Sequence, residues 1–298
     1  MTKYFFLIWV AVGCHTLLGQ QQLRVDTIMT DARTAHLFLR IEAPAGELHM
    51  HSSGACGVHV TRHEPTCQVQ SGKVWSDNRG NQYRDVYVRA THSPAAAATM
   101  PVNQIARLNP YAQAGESQRM EYNPDPSIPT DIRLNLGTGA SRLDFSDLTL
   151  HRVEVNAAFS DVMLLYSMPN RDTMESLTLH AGKGDISLKQ LELSLAEMVM
   201  VQNDLGNTQI QLGNRSTLPH KLFLRSGAGQ NTLIIHPSHP VQLIVEAGFF
   251  VSVEIPTSFK ETTPGVYVNR AAILNPAQAT RIICNLDFGG LTVMENSY

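Results

Sequence analysis

Charge is scarce in this sequence. Asp, Glu, Lys and Arg together make up 16% of its 298 residues, where an average globular domain carries about a quarter. The formal net charge is only -3, so there is no global basic footprint of the kind a dedicated nucleic-acid binder needs. Low charge does not mean disorder here, because 43% of the residues are hydrophobic and a chain of that composition can bury a core. Long apolar runs are also lacking. Tyr4 to Gly19 is free of Asp, Glu, Lys and Arg, yet it falls short of the ~20 residues a membrane-spanning helix requires. No other stretch comes closer.

That run follows Lys3 and precedes a polar Gln20-Gln21-Gln22, the layout of a secretory signal peptide. Residues 1–19 are therefore expected to be removed and the mature chain to be exported, periplasmic or extracellular, with no transmembrane span. Ala11-Val12-Gly13-Cys14 supplies an alternative, a lipoprotein acylated at Cys14. Cysteine is sparse too, at four residues. Loss of Cys14 leaves Cys56, Cys67 and Cys284, an odd number that excludes a complete intramolecular disulfide framework. Cys56 and Cys67 are candidates to pair in an oxidising compartment, and Cys284, inside an apolar run, is expected as a buried thiol.

What the sequence has in abundance is internal repetition. The segments IRLNLGTGAS, VEVNAAFSDV, LTLHAGKGDI, VMVQNDLGNT, LFLRSGAGQN and LIVEAGFFVS share one pattern. Each begins with apolar residues at alternate positions, and the second of these is Leu134, Val155, Leu179, Val201, Leu224 or Val245. Small or turn-forming residues follow at fixed phase: Gly137, Gly182 and Gly227 three places on, and Gly139, Gly184, Gly206 and Gly229 five places on. A second alternating run comes after them. Period-two alternation buries one face of a strand, and glycine at fixed phase suits turns. Units of ~22 residues cannot bury an apolar face alone and must stack. The expectation is an all-β, single-domain β-solenoid of stacked strand-turn-strand coils over 131–298. Residues 20–60 would form an N-terminal strand and first coil, with 36–41 as a capping strand. A long irregular insertion is expected at 61–130, where Pro, Ala and polar residues show no sustained period.

The stretch from Ser127 to Leu193, with Pro129-Thr130, LGTGAS, Leu143-Asp144-Phe145, SDVMLLY and HAGKGDISL, resembles the bacterial toastrack β-solenoid family, which also carries an adhesin label. It is similar as well to the C-terminal domain of LiaF-type envelope-stress proteins. The likeness covers roughly residues 127–240, with Gly46–Val60 as an outlying coil. It implies a non-enzymatic protein of the cell envelope or surface, with an envelope protein or a glycan surface as partner, and it brings no catalytic residues and no cofactor.

Three groups of residues invite chemical readings. Asp161 and Asp185 follow the small-residue segment at one phase, with Asn207 next in line. In-register stacking would set the two carboxylates ~5 Å apart, near the spacing of a retaining glycosidase pair, so a polysaccharide-processing enzyme is the rival reading. Against it, Asp and Asn are preferred turn residues whose side chains cap backbone. His49, His51, Cys56 and His59 form the densest metal-capable cluster, although the spacing fits no recognised zinc motif. His236 and His239 lie beside prolines and read as loop residues. The segments LGTG, AGKG and SGAG lack the Lys-Ser/Thr and helix of a phosphate-binding loop.

Overall fold

The computed structural model describes residues 24–28, 34–50, 58–62, 67–76, 82–90, 119–123, 126–214 and 221–296. Within these, the strands are β1 (Arg24–Ile28), β2 (Thr34–Met50), β3 (Val58–Arg62), β4 (Cys67–Ser76), β5 (Gln82–Ala90) and β6 (Arg119–Asn123). They continue with β7 (Thr130–Asp144), β8 (Leu150–Leu165), β9 (Met174–Lys183), β10 (Ile186–Lys189), β11 (Ala196–Leu205) and β12 (Thr208–Leu212). The last are β13 (Lys221–Ile235), β14 (Val241–Glu254), β15 (Phe259–Thr263), β16 (Val266–Asn269) and β17 (Thr280–Glu295). One short helix, α1 (Arg270–Leu274), follows β16.

The chain is all-β, but the expected open stack of separate coils is overturned. The parallel strands form a closed six-stranded barrel with extra strands added to it, and all of the described strands belong to one hydrogen-bonded sheet. The reason lies in the small-residue segments, which do not divide strand from strand in β7, β8, β13, β14 or β17. These strands run unbroken for 14 to 16 residues. Because each long strand bends without breaking, the sheet curls round and turns its apolar face onto itself.

The insertion is not wholly irregular either. It contributes β4, β5 and β6. β5 pairs parallel with β2 and antiparallel with β4, and β6 pairs with β2 and β3. The proposed capping strand 36–41 is internal, since β2 lies between β5 and β7.

The repeat markers share one register line. Ile41 stands opposite Leu134, Leu134 opposite Val155, Val155 opposite Leu179, Leu179 opposite Val201, and Val201 opposite Leu224. All six are buried in a single apolar core. The order then departs from the sequence, because β13 pairs with β17 and β17 pairs with β14. The last strand is thus inserted between two that precede it, with Cys284 taking the place opposite Leu224. The exchange keeps a glycine next to Gly229. Gly289 of β17 presses on Gly229, where an added Cβ would sit 2.0 Å from the Gly229 carbonyl oxygen. β14 has Val251 at that level, with a bulge between Ala247 and Phe250, and it occupies the outermost place.

Cys284 is buried and free, and burial pushes its thiol pKa up to about 12. His239 belongs to a turn yet is fully buried, with Nδ1 2.8 Å from the Gly213 carbonyl oxygen and Nε2 2.8 Å from Thr280 Oγ1. Nδ1 donates to the Gly213 carbonyl, which can only accept. No helix among the described residues is long and apolar enough to cross a membrane.

Candidate functional site

The bend of the long strands places three columns of residues side by side along the body. The first is glycine. Gly139, Gly184, Gly206, Gly229 and Gly289 all have φ between 106° and 151°, a range L side chains rarely adopt. Ser160 stands opposite Gly139, buried, and donates its hydroxyl to the Gly137 carbonyl at 3.1 Å. Of the flanking glycines, Gly182 and Gly227 press on the Ala158 and Asp204 carbonyls, and Gly137 lies in β7. Inside the bend, the buried Asn203 donates to the Gly184 and Asn207 carbonyls, and Asn231 donates to the Gly290 carbonyl. Buried amides here satisfy acceptors that the bend turns away from the regular ladder.

The second column holds the carboxylate pair. The Asp185 backbone N–H donates to Asp161 Oδ1 at 2.8 Å, Asn207 N–H donates to Asp185 Oδ1 at 2.8 Å, and Gln230 N–H donates to Asn207 Oδ1 at 3.1 Å. Asp161 and Asp185 are therefore consecutive members of a ladder in which each side chain caps the backbone of the next strand. The His180 imidazole Nε2 lies 3.2 Å from Asp204 Oδ2, and Gln202 Nε2 donates to Asp204 Oδ1. The Gln202 hydrogen bond, helped by His180, holds the Asp204 carboxyl below its ordinary range against a smaller opposing effect of burial.

The third column is the one sequence reasoning missed. Phe159 lies two residues beyond Ala157, which pairs with Ala181, and so reaches the level of Lys183. Lys183 stands opposite Leu205, Leu205 opposite Ala228, Ala228 opposite Phe288, and Phe288 opposite Phe250. Phe159, Leu205 and Phe288 are each more than half exposed, while Phe250 is 72% and Phe249 95% exposed. The Phe250 and Phe288 rings are stacked at 6.3 Å and 13°, and Phe249 meets Phe250 edge-on at 5.2 Å. At ~4.8 Å per strand this ridge runs roughly 24 Å. Scattered exposed apolar residues need no explanation, but these four share one register line, broken only by Lys183 and Ala228. A signal was available in the sequence: Phe159, Lys183, Leu205 and Ala228 fall four places beyond their repeat markers, between the two glycine positions, while Phe250 falls five places beyond Val245.

His49 lies on β2 opposite Glu121 and His59 on β3 opposite Asn123, with β6 running between the two strands. His51 and Cys56 fall outside the described residues, as do the Cys56–Cys67 pairing, Cys14 and residues 1–19. Among the described residues no group of three or more metal-capable side chains is gathered.

A separate ionic cluster ties the early strands together. Asp131 Oδ1 is 3.4 Å from His36 Nε2 and 3.3 Å from His151 Nδ1. His151 Nε2 is 3.8 Å from Glu175, which Arg152 binds through two hydrogen bonds of 2.7 Å. Burial raises the Asp131 pKa, but His36 and His151 together outweigh it and hold the carboxyl below its ordinary 3.8. A depressed folded pKa contributes stability above the unfolded value that is lost as pH falls through the folded one. Urea denaturation of Asp131→Asn at pH 5.5 is expected to show a loss of about 1 kcal/mol. At pH 2.5 the difference should shrink toward zero, and an undiminished difference there would refute the assignment.

No family model matches the sequence, and no curated protein matches it. Among solved structures, the chain is similar to that of a "putative cell adhesion protein" from Clostridium sporogenes, with 13% identity, 92% of this chain and 99% of that chain covered, and a TM-score of 0.48. It is also similar to that of a "putative adhesin" from Bacteroides fragilis, with 9% identity, 92% and 98% coverage, and a TM-score of 0.37.

Proposed function

We propose that this is an exported, adhesin-like contact protein of the cell envelope or surface, which acts by binding rather than catalysis, and that the ridge Phe159–Leu205–Phe288–Phe250 is its contact surface. One observation carries the reading: Phe159, Leu205, Phe288 and Phe250 are held outward on one register line of the sheet, with Lys183 and the small Ala228 between them. Aromatic faces presented in a row suit the apolar faces of a glycan or the side chains of a partner protein. The carboxylates of the rival reading, Asp161 and Asp185, spend an oxygen each on the backbone of the neighbouring strand, which favours a capping role.

Retention of the purified chain on isolated bacterial cell-wall glycan and on immobilised envelope protein tests this. The triple variant Phe159→Ser/Leu205→Ser/Phe288→Ser should lose at least about tenfold in retention. Its melting temperature should stay close to the parent's, because the altered side chains are exposed. Equal retention of parent and variant would sink the proposal. So would release of reducing sugar by the parent that disappears in Asp161→Ala or Asp185→Ala.

A further inference from the structure

The two halves of β14 are treated differently by the fold. From Gln242 to Ile244 its outer side is paired with β16, and Val245 donates to the Gly265 carbonyl. From Phe250 to Glu254 it pairs with β17 on its inner side, and among the described residues no strand pairs its outer side. This half reads Phe250-Val251-Ser252-Val253-Glu254, all exposed except the half-buried Val251. It is a β-branched and aromatic strand ending the sheet with a row of unpaired backbone donors and acceptors. Edges of this kind are usually blunted by lysine, proline or a covering element. β14 contains no Lys, Arg or Pro.

We infer that this open edge of β14 captures an extended segment of another protein in which apolar residues alternate with lysine or arginine. The backbone dictates an extended strand, because only a strand can satisfy a row of alternating N–H and C=O groups. The charges dictate its sign. Glu246 and Glu254 lie on β14, and Asp287 and Glu295 on β17. The second half of β13, Ser226–Ile235, carries no charge. On the neighbouring strands the cations Arg225 and Arg281 stand on the first halves, and Lys260 and Arg270 belong to β15 and α1 in the segment that follows β14. A second copy pairing edge to edge would bring the same glutamates toward one another, whereas a cationic strand complements them. Phe249 and Phe250 flank the edge and would cover the apolar side chains of the bound strand.

The inference rests on the contact reading above and names a partner chemistry at one end of the ridge. The test uses the full chain with a fluorescein-labelled octapeptide alternating valine and lysine, beside its valine–glutamate counterpart. The cationic peptide should bind saturably, with dissociation constants on the order of 10–100 µM, and should slow amide exchange at 250–254. Glu254→Lys should weaken it about fivefold, and Phe249→Ser/Phe250→Ser about tenfold or more. Phe159→Ser/Leu205→Ser, at the far end of the ridge, should leave peptide capture intact while impairing retention on envelope material, so the two readings fail separately. The inference is overturned by the absence of saturable binding up to about 1 mM, by equal binding of both peptides, or by protection elsewhere. It is overturned equally if the outward-facing amides of 250–254, those not directed at β17, are already protected in the free chain. Protection in a monomer would assign the edge to another segment of this chain, and protection in a concentration-dependent dimer would assign it to a second copy.

Discussion

Gly229→Ala is expected to destabilise the protein by more than about 4 kcal/mol, a loss reached only by substitutions with a specific steric cause. The cause is on both sides of the residue. Its φ of 151° is strained for any L side chain, and the added methyl would sit 1.9 Å from the Gly206 carbonyl oxygen. Gly206 meets Gly184 in the same way at 2.0 Å, and Gly289 meets Gly229 at 2.0 Å, so the backbone cannot retreat without disturbing the next strand. For a chain of this size the melting temperature should drop by roughly 10 °C or more. Gly265→Ala is the control. It has φ 77° and a milder contact of 2.9 Å with the Val245 carbonyl oxygen in the β15–β16 connection, and should cost about 2 kcal/mol. Melting of Gly229→Ala within a few degrees of the parent would mean that the glycine column does not bear the load assigned to it.

Asn269→Ala should release the segment that covers the first half of β14. Asn269 is fully buried. Its Oδ1 accepts from the Val241 and Ala272 backbone N–H groups at 3.0 Å each, and its Nδ2 donates to the His239 carbonyl at 2.7 Å. Three buried partners lose their bonds at once, at about 1 kcal/mol or more each, for a total near 3 kcal/mol. The loss should be local before it is global, because the rest of the core does not depend on β16. Amide exchange at Gln242–Ile244, which β16 pairs, should accelerate well ahead of exchange in β9 and β11. Asn269→Asp, which keeps the acceptor and removes the donor, should fall between parent and alanine. Unchanged exchange at Gln242–Ile244 in Asn269→Ala would show that the segment is held by other contacts.

Much of the candidate site was within reach of the sequence, and the misses have definable reasons. The fixed phase of Leu134, Val155, Leu179, Val201 and Leu224 foretold a shared register, because parallel strands in contact must align equivalent apolar residues to bury one face. The stacking of Asp161, Asp185 and Asn207 was legible for the same reason. The ridge was not legible because the recurring signal is glycine at places three and five, while the residue at place four varies among Phe159, Lys183, Leu205 and Ala228. Variation of residue type hides a row that geometry makes continuous. The burial of His239 was not legible either, since its partners Gly213 and Thr280 are distant in the chain and meet only through tertiary packing.

By itself the sequence determined the all-β character, the apolar stripe of each strand and the need for residues without side chains at the bend, since alternation and steric exclusion act over a few neighbouring residues. Closure of the sheet and the order of its last strands were decided only by the tertiary structure. Identical alternation serves a broken strand and a bent one, and nothing local to β17 states that it will slip between β13 and β14. In the folded chain Gly289 stands against the Gly229 carbonyl, and β14, with Val251 at that level, is left at the edge.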